Sequence, residues 1–228
     1  DKVSEILRSH SVSVSSLSPG LFKIPLNADL IKYDIDKLFE TTISIAHKLQ
    51  VESIVLFGFM RCENVTETEA LPQIEDYLGS VTHRAEKEGL TLLLENERGA
   101  WVDQPHLLRR VVECVNSKSL RVNWDPCNLI GAHPQKPYPG GYEVIKDYIG
   151  HLHIKDASVG ENGLVSHAMV GEGDVDWIGQ FEQLYRANYD GFCVLEPHFG
   201  SRIVSSRNHI LETRRLLRLA RERIETSA

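Results

Sequence analysis

Apolar positions along the chain follow two alternating periods. Short runs rich in β-branched and aliphatic residues occur at 12–17, 53–57, 91–94, 120–124, 151–154 and 192–195, and they predict strands. Between them the spacing is helical. In 36–49 the residues Leu38, Thr42, Ile45 and Leu49 form one stripe, with Asp34 or Asp36 as the expected N-cap. Thr66 is placed to cap a helix over 67–88 whose stripe is Ala70, Ile74, Tyr77, Val81 and Ala85, with Gly89 at its end. Pro105 suits a first helical position. Segments 3–10, 144–148 and 177–185 read as shorter helices. Segment 208–224 closes the chain with the stripe Ile210, Thr213, Leu217, Ala220 and Ile224. Strand–helix alternation of this regularity predicts βαβ units and a parallel sheet, hence an α/β fold.

Polar and charged residues gather just after the strands: Glu95-Asn96-Glu97, Asp125-Pro126-Cys127-Asn128, His153 to Asp156, and Glu196-Pro197-His198. Chemistry at the carboxyl ends of several parallel strands is what a (β/α) barrel provides. Six strands are visible against the eight of a closed barrel, and they follow an initial helix. A β-α-β unit is therefore expected to be missing at the N-terminal side, by truncation or because the barrel is open there. The proline-rich loop 132–141 lies inside this single domain, residues 1–228, and is expected to border the site. No glycine-rich dinucleotide or phosphate fingerprint follows a strand, which disfavours nucleotide-binding doubly wound folds.

Composition narrows the function further. The chain has 228 residues, 42% hydrophobic and 25% charged, with net charge −7, so it is an ordinary globular sequence and a poor match for a duplex-binding surface. No apolar run approaches a membrane span, and no secretory h-region is visible at the start, so a cytoplasmic location is expected. The scattered Cys62, Cys114, Cys127 and Cys193 read as reduced thiols.

Glu95, Asp125, His153 and Glu196 are the strand-end groups with metal-ligand chemistry. Three carboxylates and one imidazole at one barrel mouth suit a single divalent cation. Oxygen-rich ligation favours Mn²⁺ or Mg²⁺, and the histidine admits Zn²⁺, Co²⁺ or Fe²⁺. Each residue also has a plainer role. An Asp or Glu after a strand often caps the next helix, and a strand histidine is often a satisfied core group, as expected of His151. His151 and His153 share one side of a regular strand, and only His153 is near its carboxyl end. Four such groups in order outweigh any one alone.

The segments Leu92-Leu93-Leu94-Glu95-Asn96, Asn123-Trp124-Asp125-Pro126-Cys127-Asn128, His151-Leu152-His153-Ile154-Lys155-Asp156, Gly171-Glu172-Gly173-Asp174-Val175-Asp176-Trp177 and Val194-Leu195-Glu196-Pro197-His198 occur in this order. Together they resemble the xylose isomerase-like TIM barrel superfamily, which includes sugar isomerases and epimerases and endonuclease IV. The resemblance implies that Glu95, Asp125, His153 and Glu196 hold one divalent metal. It also implies that Glu95 and Glu196 act as acid and base on opposite faces of a sugar or keto-polyol, moving a proton next to the carbonyl through an enediolate. Asn128, Lys155 and His198 are then candidate substrate contacts. An ion pair with a neighbouring carboxylate is the alternative for Lys155. His167 is a further contact or an exposed loop residue.

A metal-dependent dehydratase or lyase of the same superfamily would need the same ligands. A DNA repair hydrolase like endonuclease IV is less favoured: Asn128 stands where that family has a histidine, and 53–59 contains none. A crippled, non-catalytic domain is a fourth reading, in which a partner copy covers the N-terminal gap. The expected partner is thus a small sugar or keto-polyol, with no nucleic acid or membrane, and a homo-oligomer is allowed.

Overall fold

The computed structural model describes residues 2–198 and 202–226. Helix α1 (Lys2–Ser9) precedes β1 (Leu17–Leu21). A continuous helical run follows, from α2 (Ala28–Tyr33) through a wider π-type stretch (Asp34–Phe39) to α3 (Glu40–Leu49). Then come β2 (Ser53–Phe57), α4 (Glu67–Lys87), β3 (Thr91–Glu95), α5 (Pro105–Val115) and β4 (Leu120–Trp124). The rest comprises α6 (Tyr142–Ile145), β5 (Ile149–Ile154), β6 (Asp156–Val159), β7 (Val165–Ala168), α7 (Trp177–Arg186), β8 (Phe192–Leu195) and α8 (Arg202–Thr226). Six strands form one sheet in the order β1-β2-β3-β4-β5-β8, as the alternating pattern predicts, and β6 and β7 form a separate antiparallel hairpin.

The chain divides into two compact units. The first holds the chain up to Asp103 together with Leu107–Asn123. Its strands pair in parallel with regular registers, Ser53↔Thr91 to Phe57↔Glu95 and Leu92↔Leu120 to Glu95↔Asn123. Ile54, Val55, Leu56, Leu92, Leu93 and Leu94 are all buried, so both faces of these strands are covered. That is why they read as unbroken apolar runs rather than alternating ones. Each such side chain contributes about 1.5–3 kcal/mol of transfer free energy. Helix α4 starts at the expected Thr66 with a full capping box to Glu69, and Gly89 follows its end with φ +69°.

Two expectations in this unit are corrected. The first strand is Leu17–Leu21 rather than 12–17. Leu17 pairs with Ile54 and Leu21 with Leu56, so the span 17–21 of β1 opposes the shorter span 54–56 of β2, and Pro19-Gly20 absorb the bulge. Val12, 54% exposed, shows that β propensity there finds no packed partner. The N-cap is Asn27, whose Oδ1 accepts from the amides of Asp29 and Leu30, instead of Asp34 or Asp36. Asp34 is buried within the helical run and accepts at 2.7 Å from the amide of Phe22. That bond holds Phe22 at φ +61° while its ring stacks on Phe59, 4.6 Å away.

The second unit holds Gln104–His106 and the chain from Trp124 onward. Strands β5 and β8 pair in parallel, His151↔Phe192 to Ile154↔Leu195. The hairpin was not foreseen, and it places His167 in a strand rather than a loop. Asp156, its first residue, is a buried clamp. Oδ1 accepts from the amides of Ala157 and Val175, and Oδ2 from that of Gly171. A Cβ on Gly173 would lie 2.1 Å from Asp156 Oδ1, so this position requires glycine. The hairpin stem also covers Gly131, where a Cβ would meet Val165 at 2.4 Å. Within loop 132–141, Tyr138 packs on Gly179 of α7. The buried stripe of α8 is Ser205, His209, Thr213, Leu216 and Ala220; Thr213 and Ala220 are as expected, whereas Ile210 is exposed and Leu217 and Ile224 are only half-buried. Polar residues do the packing there: His209 Nδ1 accepts from the amide of Val170.

Candidate metal centre

Asp125 follows the last residue of β4 in extended geometry and caps the 3-10 turn Pro126–Leu129. Its Oδ1 accepts from the amides of Cys127, at 3.0 Å, and Asn128, at 3.3 Å. This leaves Oδ2 facing Lys155, whose Nζ lies 2.7 Å away. Capping and cation binding are thus divided between the two oxygens of one carboxylate.

On β5 the alternation His151-Leu152-His153 puts both imidazoles on one face, with ring centroids 5.6 Å apart. His151 is buried deeper along the strand, as expected of a core histidine. Glu196 continues the β5–β8 ladder, its amide donating to Ile154 O. Its Oε2 lies 2.8 Å from Lys155 Nζ, 3.8 Å from His153 Nδ1 and 3.6 Å from His198 Nε2. Potential ligand atoms of Asp125, His153 and Glu196 all lie within 4.8 Å of one another. The structure therefore brings these three together at the strand ends of one unit. Lys155 lies just beyond β5 and still projects to the same side.

The electrostatics follow from this packing. Burial alone would lift the Glu196 carboxyl, but the Lys155 charge and hydrogen bond, helped by His153 and His198, hold it below the usual glutamate value. Burial would likewise depress Lys155, yet the charges of Asp125 and Glu196 outweigh it and raise its pKa. Glu196 is ionised and Lys155 is a cation at neutral pH.

In the first unit, Glu95 ends β3 and is 2% exposed. Its Oε2 accepts at 2.9 Å from Nδ2 of Asn123, its register partner on β4. Sequence reasoning missed Asn123, although an amide inside the otherwise apolar end of β4 was a visible signal. Asn128 is buried, while His198 is half exposed and stacks on exposed His167 with centroids 4.7 Å apart. The four cysteines are free thiols. Among the described residues no helix is long and apolar enough to cross a membrane.

A donor set of carboxylates and one imidazole fits a hard or borderline divalent ion. The ammonium between Asp125 and Glu196 shows that this pocket already favours a cation.

Among solved structures, a D-tagatose 3-epimerase-like protein superposes with TM-score 0.82 and 20% identity, covering 98% of this chain and 84% of that one. A xylose isomerase-like TIM barrel protein from Mycobacterium smegmatis, in complex with magnesium, gives 0.76 and 16% over 93% and 76% of the two chains. The probable 3-DHS dehydratase from Bacillus anthracis gives 0.72 and 17% over 92% and 78%. These neighbours establish the barrel fold, and they include an epimerase-like protein and a probable dehydratase. No curated protein sequence matches the chain. The family model of the xylose isomerase-like TIM barrel matches residues 1–220, and the chain belongs to that family.

Proposed function

We propose that the protein is a divalent-metal-dependent isomerase or epimerase of a sugar or keto-polyol. The observation that carries this reading is the convergence of Asp125, His153 and Glu196 from separate strand ends. Glu95 is the proposed fourth ligand. It ends β3, and it is tied to Asn123, two residues before Asp125 in the chain. Mn²⁺ or Mg²⁺ is the preferred ion, with Zn²⁺, Co²⁺ or Fe²⁺ admitted by the histidine. When bound, the ion would polarise the substrate carbonyl and offset the negative charge that develops on its oxygen.

The remaining chemistry falls to the chain. Ionised Glu196 is suited to take the proton next to the carbonyl, and Glu95, held by the Asn123 amide, to return one on the other face. Asn128, Lys155 and His198 are proposed to hold substrate hydroxyls. The test is deuterium uptake from solvent into a panel of ketoses and keto-polyols with Mn²⁺ present. Label is expected next to the carbonyl in one of them and lost in Glu196→Gln. The probable dehydratase among the neighbours supports a second reading, elimination of water from a keto acid or sugar. Release of an unsaturated product without label exchange would favour it.

A further inference from the structure

Lys155 is the nearest cation to the proposed centre, and it occupies the space an ion would need. Its Nζ lies 2.7 Å from Asp125 Oδ2 and 2.8 Å from Glu196 Oε2, with the lysine and aspartate side chains almost wholly buried. Both oxygens belong to proposed ligands. At these distances the ammonium uses the lone pairs that would coordinate a metal. Asp125 has no second oxygen to offer without losing its turn, because Oδ1 already accepts two backbone amides. A divalent ion and an ammonium within about 4 Å of each other would also repel strongly in so buried a setting.

We infer that Lys155 is an internal competitor of the metal: without an ion its ammonium bridges Asp125 and Glu196, and ion binding displaces it into the substrate space. This inference rests on the metal reading above and goes beyond it, because it gives one side chain two positions and two tasks. In the first position Lys155 bridges the two carboxylates and holds them close together, so the ligands are pre-formed. In the second, the released ammonium becomes a donor for an oxygen of the substrate. The lysine stem has the rotamer freedom for such a move, while its start is fixed by the Asp156 clamp at the next residue. The competition also lowers apparent metal affinity, so the ion is readily exchanged.

Two measurements on the full chain test this. Mn²⁺ binding is followed by calorimetry for wild type and Lys155→Met, and amine-directed mass-spectrometric labelling of Lys155 is followed with and without Mn²⁺. Surface Lys23 and Lys146 serve as internal standards. The expected results are at least 10-fold tighter Mn²⁺ binding by Lys155→Met, and a several-fold rise in wild-type Lys155 labelling once the ion is bound. If Lys155 stays protected in wild type shown to be saturated with Mn²⁺, the displacement is wrong, whatever the affinities. If Lys155→Met binds the ion no more tightly than wild type, the competition is wrong. If wild type takes up no Mn²⁺ but Lys155→Met does, the ammonium is the stronger occupant and the inference stands. Absence of binding in both chains overturns the metal reading itself, and this inference with it.

Discussion

At Asp125 the two carboxylate oxygens should respond differently to substitution. Asp125→Asn retains an oxygen able to cap the Pro126–Leu129 turn, but it removes one charge facing Lys155. A buried cation left with one anionic partner costs about 1–3 kcal/mol, measurable by urea denaturation without added metal. Mn²⁺ binding is expected to fall far more than stability does. Glu95→Gln and Glu196→Gln should each lower kcat by about 10²- to 10⁴-fold on the substrate that exchanges label. Asn123→Ala, which removes the amide that Glu95 accepts from, should lose about 10- to 100-fold. The ordering of these losses by steady-state kinetics separates ligands and proton carriers from the residue that positions one of them.

At the level of elements, the junction between Asp156 and the Gly171–Gly173 segment explains why those two motifs occur together. One buried carboxylate takes amides from both sides of the loop, and glycine at 173 lets the backbone approach it. Gly173→Ala should destabilise the chain by about 1–3 kcal/mol, read from the urea midpoint, because a methyl cannot occupy that space without moving the clamp. Helix α8 adds a pH signature. Burial holds His209 below the usual histidine value of 6.5, with the Glu172 charge opposing it more weakly. The unfolded chain then binds the proton more readily. Stability is therefore full above about pH 6.5 and declines as pH falls toward the lowered folded-state value. His209→Gln should flatten that part of the stability–pH curve. These features also mark where periodicity misleads. The α8 stripe is only partly legible, at Thr213 and Ala220, because His209 and Ser205 are polar yet buried, and hydropathy assigns such residues to the solvent side. The β1 boundary was misread because its bulge is set by pairing with β2, which no local window contains.

For the molecule as a whole, five of the six sheet strands are legible as apolar runs; in β2 to β5 burial leaves a strong signal, while β8 keeps an apolar run although Phe192 and Cys193 are exposed. Glu95, Asp125, His153 and Glu196 stood out because an ionisable residue directly after such a run is conspicuous. The hairpin did not stand out: its two strands are short and only partly buried, with no apolar alternation to read. The Lys155 bridge was visible only as one of two alternatives, since sequence spacing cannot say which of several carboxylates an ammonium will reach. Because the proposed ligands come from segments far apart in the chain, ion binding should stabilise the folded state globally. At 100 times its dissociation constant, Mn²⁺ should add about 2.7 kcal/mol, seen as a raised unfolding midpoint that EDTA reverses and Asp125→Asn abolishes.

The stem of the hairpin is fastened at its base by Asp156 and at its other end by the bond from the Val159 amide to Asp174. Its tip, between Gly160 and Gly163, has no such fastening among the described bonds apart from its own turn. Residues there can be exchanged or lengthened without disturbing the strand that carries His153 and Lys155. The same stem carries His167 to its stack on His198, beside Glu196. The fold thus offers an interchangeable cassette next to the proposed centre, through which new selectivity could evolve while the residues proposed to form that centre stay untouched.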